Sequence, residues 1–275
     1  LFAAQYFKGT ELERLANSLY FRADWQWMTN GKNLICMGWT PENGFLGSYW
    51  DWYNEGLIAY VLAIGSPTYP ISPECWKAWR KPVAEYGGYK VVYSFFGSLF
   101  TYQFAQAWVD FRNIDDNGIN YWQNSINAVH ANRRYCLDNA RLHKGYGEDG
   151  WGLTAGDGPG GYKGYGAMPA EKLVQDGTIN PYGMAASMPL VPELSLKSLK
   201  KIYDRHGGSV YGEYGFKAGY NIDKNWFSSN YIGIDQGVTV LMIENYRTGM
   251  VWDIFMRNQC VKSWMELCGF KVKAP

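Results

Sequence analysis

Apolar residues recur along this chain at intervals of three and four, which is the spacing of one face of an α-helix. The first such pattern lies between Leu12 and Trp27, and Thr10 precedes it as a candidate helix cap. A second helix is predicted over Trp52–Ile64, and we expect it to be buried on all sides because it is almost wholly apolar after Glu55. The first helix carries its apolar face on Leu12, Leu15, Leu19, Ala23 and Trp27.

The same spacing predicts further helices in the rest of the chain. They cover Phe100–Phe111, Ile119–Asn139, Leu194–His206, Gln236–Thr248 and Val261–Leu267. No two alternating Val/Ile-rich runs flank a tight turn, so strands should be a minor component, and no low-complexity linker divides the chain. The sequence therefore predicts one all-α domain over residues 1–275, built from helical hairpins with elaborate loops on one side.

The charge and hydropathy of the chain argue against two classes of partner. Its net charge is +1 and its one short basic run is Lys197–Lys201, so we expect no nucleic-acid partner. No apolar run approaches the ~18 residues of a membrane-spanning helix. Aromatic residues make up 17% of the chain and charged residues 19%. This surplus of Trp and Tyr predicts either an aromatic core or an aromatic-lined binding site.

The cysteines and histidines form no pattern typical of metal binding or nucleophilic catalysis. The five cysteines lack a CxxC motif and lack metal-ligand spacing with the three histidines. Their odd number argues against a complete disulfide framework, so we expect buried thiols that act as small hydrophobes. His130 and His143 lack partners at a catalytic spacing. We expect neither a metal nor a cofactor.

Ten of the 22 residues in Gly145–Gly166 are glycine. A phosphate-binding loop is not expected, because no Gly-Lys-Ser/Thr follows and Lys163 is the only cation among acids. Glu148 and Asp157 lie instead among aromatic residues, of which Trp151 has a face suited to a sugar ring. The stretch is typical of a loop that shapes an uncharged, hydroxyl-rich ligand site, and the alternative is a solvated loop with Asx turns.

Two carboxyl groups flank the start of the predicted buried helix. Asp51 and Glu55 are four residues apart and should share one helix face, beside Trp50. Burial would raise the pKa of such a carboxyl and the helix N-terminus would lower it. A glutamic acid kept protonated by apolar surroundings suits the general acid of a glycosidase. The alternative is that Asp51 caps the helix and Glu55 is an ordinary acid of its first turn.

Three further clusters place acids next to aromatic or polar side chains. Asp110 and Arg112 would either bind sugar hydroxyls or pair with other charges. Asp235 would be either a helix cap or a functional acid next to Gln236. The remaining candidates are Glu213, Tyr214 and Trp226. Acids beside aromatic residues, in glycine-rich loops that precede helices, indicate a cleft that binds and cleaves glycans.

The chain resembles the glucoamylase-like family, which includes the β-1,2-glucanases of glycoside hydrolase family 144 and a domain of cyclic β-1,2-glucan synthases. The blocks that carry the resemblance run in order through nearly the whole chain, among them WDWYNEGLIAYVLAIGSPTYPI, GYGEDGWGLTAGDGP and YIGIDQGVTVLMIENYRTGM. The resemblance implies an (α/α)6 toroid, a carbohydrate substrate and an inverting hydrolase. It also implies that Glu55, in the Tyr-Asn-Glu block, is the general acid.

The family pattern has a further block with an aspartate upstream of the segment that matches Leu1–Phe7. The resemblance therefore implies a toroid that lacks its first helices in this chain. We expect a hydrolase of a β-1,2-linked glucan, monomeric, and periplasmic or secreted. The alternatives are a non-catalytic glycan-binding protein and a phosphorylase, against which the scarcity of cations near the glycine-rich loop argues. The general base stays open among Glu148, Glu213, Asp235 and the upstream aspartate.

Overall fold

A computed structural model describes residues 1–272 of the chain. In chain order, its α-helices are α1 (Phe2–Tyr6), α2 (Glu11–Phe21), α3 (Leu57–Ile64), α4 (Glu74–Ala78), α5 (Phe100–Trp108), α6 (Tyr121–Asp138), α7 (Tyr182–Ala185), α8 (Pro192–His206), α9 (Gly233–Arg247), α10 (Met250–Met256) and α11 (Gln259–Cys268). Short 3-10 helices cover Trp27–Thr29 and Gly207–Ser209. Within residues 1–272, no helix is both long and apolar enough to cross a bilayer.

The strands are short and pair within small antiparallel sheets. They are β1 (Trp39–Thr40), β2 (Gly44–Phe45), β3 (Val83–Tyr86), β4 (Tyr89–Val92), β5 (Ile114–Asp115), β6 (Thr178–Ile179), β7 (Tyr211–Gly212), β8 (Gly215–Phe216), β9 (Tyr220–Asn221), β10 (Trp226–Phe227) and β11 (Lys271–Val272). The largest sheet has the order β10-β9-β6, and the other sheets are two-stranded. The expectation of a mainly helical chain with minor strands is confirmed for the described residues.

The described chain divides into two compact units. The first, unit 1, comprises Leu1–Lys81, Trp108–Tyr121 and residues 249–272. The second, unit 2, comprises Pro82–Ala107 and Trp122–Thr248. Each unit has its own buried aromatic side chains, so each is described separately.

Unit 1 is built around fully buried aromatic rings. Trp76 lies 5.2 Å from Trp264 and 6.4 Å from Tyr121, measured between ring centroids, and the pairs meet edge to face. Helix α3 packs against α11, and an added Cβ at Gly65 would lie 2.1 Å from the carbonyl oxygen of Cys260. Glycine is therefore required at the end of α3 by this close approach, and not by its backbone angles, since its φ of −77° suits any residue.

A buried carboxylate connects the aromatic rings of unit 1. Asp116 accepts hydrogen bonds from the indole Nε1 of Trp76 at 2.9 Å and the hydroxyl of Tyr121 at 2.6 Å. We expect Asp116→Ala to lower the free energy of unfolding by about 2–4 kcal/mol, because it removes an acceptor shared by two buried donors. Chemical denaturation would measure this loss. The control, Asp253→Ala in an exposed ion pair with Arg257, should change stability by less than about 1 kcal/mol, and an equal loss in both would contradict the prediction.

Unit 2 is organised by α5, α6, α8 and α9 and by buried amide side chains. The Nε2 atom of Gln103 donates to the carbonyl of Gly183 at 2.7 Å. Asn132 accepts from the backbone N–H of Leu153 at 3.0 Å and donates to its carbonyl at 2.9 Å. These bonds fix the start of the glycine-rich stretch to the long helix α6, because loop backbone groups that are buried need partners.

Three predictions about local structure need correction. Helix α2 forms, but Leu12, Leu15 and Leu19 are exposed, Leu19 by 68%, and the buried residue of the helix is Tyr20. The sequence analysis found no strands around a tight turn, but β3 and β4 form a hairpin around Gly87 and Gly88. Both glycines have positive φ, as the favoured two-residue hairpin turns require.

The third correction is the start of α3, which begins at Leu57 and not at Trp52. Trp52 forms a parallel bridge with Arg80, and the N–H of Tyr53 donates to the Arg80 carbonyl at 3.0 Å. The side chain of Asn54 then accepts from the N–H of Gly56 at 2.7 Å, which makes an Asx turn. Asp51 and Glu55 therefore do not share a first helical turn.

Candidate functional site

Asp51 is held in place by a cation that the sequence analysis did not identify. Its carboxylate forms an ion pair with Arg80, whose guanidinium lies 4.5 Å from the centroid of the Trp52 ring. The carbonyl of Asp51 also accepts from the N–H of Arg80 at 2.8 Å. Arg80 lies 29 residues along the chain in a segment without a recognisable motif, so only the fold reveals this pairing.

Glu55 lies in the turn that precedes α3 and is half-buried. Burial raises the pKa of Glu55, and the bond from its own backbone N–H opposes this effect only in part. The ring of Trp50 packs against Gly56, the next residue in the turn, since an added Cβ there would lie 2.9 Å from it. Asp51, whose carboxylate is paired with Arg80, does not contribute to this pKa shift. A carboxyl with a raised pKa keeps its proton to a higher pH than an ordinary glutamic acid, as a proton donor requires.

The second pair of candidates in unit 1, Asp110 and Arg112, bind each other. Arg112 forms an ion pair with Asp110 at 2.7 Å, and its guanidinium lies 4.5 Å from the centroid of the Trp252 ring. The N–H of Arg112 also donates to Asp110 at 3.2 Å. This arrangement matches the alternative in which the two charges pair with each other.

Unit 2 contains a buried acid with unusual surroundings. Asp235 lies in the first turn of α9 with 1% of its surface exposed, and neither carboxyl oxygen has a hydrogen-bond partner among the described residues. Burial, and secondly the charge of Asp157, raise the pKa of Asp235 to about 7. The helix N-terminus favours a negative charge, but burial dominates here. Asp235 is not the helix cap, since Ile232 occupies that position.

Asp157 in the glycine-rich loop lies close enough to influence Asp235 and is itself fixed. Its Oδ2 atom accepts from the side-chain amide of Asn230 at 2.8 Å and from the hydroxyl of Ser228 at 3.2 Å. Its backbone carbonyl accepts from the side chain of Asn180 at 3.0 Å. The glycine-rich loop is therefore bound to the segment that leads into α9, through polar partners that the sequence analysis did not single out.

The hairpin of β7 and β8 is tied to the same helix. Gln236 donates from Nε2 to the carbonyl of Phe216 at 2.7 Å. Tyr214 at the hairpin turn is exposed and meets Tyr231 edge to face at 5.3 Å between centroids, and Glu213 is also exposed. These side chains are accessible to a ligand.

The other candidates of unit 2 have surroundings that fit their predicted roles less well. Glu148 is exposed and forms an ion pair with Lys197 at 2.8 Å, whose hydrogen bond and charge lower the pKa of Glu148. A carboxyl with a lowered pKa loses its proton more readily than usual, so it is seldom protonated for general-acid catalysis, and its conjugate base is weak. Trp226 is half-buried in β10. Trp151 is fully buried and donates from Nε1 to Ser198 at 2.8 Å, so stacking of this indole on a sugar does not fit the structure.

The described residues show two sets of candidate side chains and no group suited to a metal. Trp50, Asp51 and Glu55 lie together in unit 1, and Asp157 and Asp235 lie together in unit 2. Within residues 1–272, no cluster of three or more His, Cys, Asp or Glu side chains could hold a metal ion. All five cysteines are free thiols.

The two sets of carboxyls occur in a chain that matches a known family over most of its length. Residues 47–259 match the family model Glycoamylase, described as "Putative glucoamylase". The chain belongs to this family. A crystal structure with that same description, from Bacteroides uniformis, is 34% identical, with a TM-score of 0.90 over 98% of this chain and 68% of that one.

Two relatives carry more specific names. The chain is 31% identical to the exo-β-1,2-glucooligosaccharide sophorohydrolase (non-reducing end) of Parabacteroides distasonis, over 97% of this chain and 41% of that protein. It thus spans less than half the length of this curated relative. The endo-β-1,2-glucanase of Chitinophaga pinensis, in complex with sophorotriose and glucose, is 32% identical with a TM-score of 0.87, over 98% of this chain and 68% of that one.

Proposed function

We propose that this chain is a glycoside hydrolase that cleaves β-1,2-linked glucan. The observation that carries the proposal is the likeness, at more than 30% identity over nearly the whole chain, to two proteins named for activity on β-1,2-glucan or its oligosaccharides. The surroundings of the carboxyl groups agree with it, because glycoside hydrolysis needs one acid that is protonated and one carboxylate that is ionised.

We assign the proton donor to Glu55. Its pKa is raised by burial, and it lies in a turn next to the indole of Trp50. The neutral acid would protonate the glycosidic oxygen as the bond to the anomeric carbon breaks, so that the leaving sugar departs as a neutral alcohol.

We assign the general base to Asp235, and the mechanism to inversion. The pKa of Asp235 is about 7, and a general base is most effective when its pKa lies close to the pH at which the enzyme works. Neither carboxyl oxygen has a hydrogen-bond partner among residues 1–272, so no protein donor competes for the lone pairs of an ionised Asp235. Glu148 is a weaker candidate because Lys197 lowers its pKa, and the exposed Glu213 lacks the burial that sets Asp235 apart. The roles rest on the surroundings of each carboxyl group.

The finer structural predictions are part of the same proposal. They comprise an (α/α)6 toroid that lacks its first helices in this chain, which the family resemblance implies, a monomeric state and a periplasmic or secreted location. An experimental structure, sedimentation analysis and cell fractionation would test these three in turn.

Incubation with a panel of glucans tests the proposed function. β-1,2-Glucan should yield short oligosaccharides with new reducing ends, and β-1,3- and α-1,4-glucans should stay intact. Adding inorganic phosphate should leave the products unchanged, whereas the appearance of sugar phosphates would indicate a phosphorylase. Binding of β-1,2-glucan without cleavage would indicate a glycan-binding protein and would contradict the proposal.

A further inference from the structure

Two half-exposed indoles lie side by side on unit 1, and neither has a role in the site described above. Trp27 has 49% and Trp39 47% of its surface exposed, and their ring centroids are 5.7 Å apart at 62°. Phe45 supports the pair, with its ring centroid 4.6 Å from that of Trp27. We call this pair of indoles, supported by Phe45, the Trp27–Trp39 platform.

The platform is held in place by the local backbone. Trp39 pairs with Phe45 across the hairpin of β1 and β2. The N–H of Trp27 donates to the carboxylate of Asp24 at 2.9 Å, at the start of the 3-10 helix. Single exposed apolar residues are common on proteins, but clustered and exposed aromatic rings held by such contacts point to a binding surface.

The hairpin that carries Trp39 is continuous with the segment that carries Trp50. The N–H of Met37 donates to the carbonyl of Ser48 at 2.9 Å, and the N–H of Trp50 donates to that of Ile35 at 2.9 Å. We call the paired segments that run from Ile35 to Trp50 the ribbon. From Ile35 to Trp39 the ribbon advances about 13 Å, at ~3.3 Å per residue. The platform thus lies at one end of this ribbon, and Trp50, whose ring packs against Gly56 next to Glu55, lies at the other.

We propose that the Trp27–Trp39 platform binds a glucan chain several sugar units away from the bond that Glu55 cleaves. The inference rests on the proposed function, which supplies the chain of β-1,2-linked glucose. The C–H groups on the faces of a glucose ring pack on the electron-rich face of an indole. The burial of apolar surface between the two rings further favours this stacking. The exposed turn residues Glu42 and Asn43 of the hairpin supply acceptors and donors for sugar hydroxyls.

The exposed leucines of α2 differ from the platform in chemistry. Leu12, Leu15 and Leu19 offer no flat aromatic face, and nothing in the structure shows what covers them. The platform combines flat rings, polar neighbours and continuity with the Glu55 segment. A sugar chain is the occupant that this combination fits.

The test compares variants of Trp39 that differ in the ring alone. Trp39→Leu keeps apolar bulk and removes the aromatic face, Trp39→Tyr restores a ring, and Leu46→Ala removes an exposed apolar side chain from the same hairpin. Affinity electrophoresis in gels with long β-1,2-glucan measures binding. Trp39→Leu should weaken binding by about 10-fold or more, as truncation of a central aromatic contact does. Trp39→Tyr should recover most of it and Leu46→Ala should bind like the unaltered protein.

A second measurement separates the platform from the proposed function. Hydrolysis of a β-1,2-linked trisaccharide, too short to extend along the ribbon, should be the same for Trp39→Leu and the unaltered protein. Glucan binding that depends on Trp39 in a protein without hydrolysis would support the platform and overturn the proposed function. Unchanged glucan binding in Trp39→Leu, or equal weakening in Leu46→Ala, would overturn the platform. Thermal unfolding confirms that each variant is folded before it is compared.

Discussion

Replacing Glu55 by Gln is expected to lower the rate of β-1,2-glucan hydrolysis by about 10²–10⁴-fold, which is the usual contribution of a general acid. The substitution keeps the size and most hydrogen-bonding capacity of the side chain, so the turn before α3 should persist. It removes the proton that burial holds on the carboxyl of Glu55 by raising its pKa. Release of reducing ends measures the loss.

The control for this variant is Glu266→Gln, at an exposed position of α11 in the same unit. It should hydrolyse the glucan at the unaltered rate. A substrate with an activated leaving group should suffer less from Glu55→Gln, because its departure needs less protonation. If Glu55→Gln keeps more than about a tenth of the activity, the carboxyl is structural and the acid lies elsewhere.

Replacing Asp235 by Asn is expected to stabilise the folded chain at about pH 8, by up to about 4 kcal/mol. The pKa of Asp235 is raised to about 7, above the unfolded value near 3.8. The folded state therefore binds this proton more tightly, and the stabilisation that it gives is complete below the unfolded pKa. It is lost as pH rises through the folded pKa, since the buried carboxyl must then ionise without a partner. Asparagine removes that cost.

Urea denaturation as a function of pH measures this effect. Between the unfolded and folded pKa values, the unaltered chain should lose stability with rising pH relative to Asp235→Asn, and the difference should level off above about pH 7. The control is Asp204→Asn in the exposed pair with Lys200, which should show no such trend. Parallel stability curves for the unaltered chain and Asp235→Asn would contradict the raised pKa.

A gain in stability from Asp235→Asn should accompany a loss of hydrolysis. A buried carboxyl without partners lowers stability near neutral pH, and such costs are typical of residues kept for catalysis. The structural alternative, an acid that contributes only to packing, predicts that Asp235→Asn is stable and fully active.

The long helices could be predicted from the sequence because their periodicity is local. Helices α5, α6, α8 and α9 agree with the predictions to within about three residues at each end. The start of α3 could not be predicted, because it depends on the pairing of Trp52 with Arg80, which is remote in sequence. The hairpin around Gly87 and Gly88 could have been predicted from its paired glycines, but its strands are only half-apolar.

The sequence indicated which residue types could form the candidate site, but it indicated only part of their exposure and of their hydrogen-bond partners. An acid can be identified from its sequence neighbours, and the candidates Glu55, close to Trp50, and Asp235, next to Gln236 before a predicted helix, were chosen in that way. Whether an aromatic ring faces solvent or the core depends on the packing of other helices, which is why Trp151 was misplaced. The partners of Asp157, Ser228 and Asn230, are 71 and 73 residues away and carry no motif of their own.

The most direct test of the proposed function is a proton NMR time course of β-1,2-glucan with the unaltered chain and with Glu55→Gln. The anomeric signals report both cleavage and stereochemistry. The proposal predicts that internal β-linkage signals decline with the unaltered chain and that new reducing ends appear first as the α-anomer, as inversion requires. Glu55→Gln should leave the linkage signals nearly constant. Broadened glucan signals without any loss of linkages, in both proteins, would contradict the proposal and identify the chain as a glycan-binding protein.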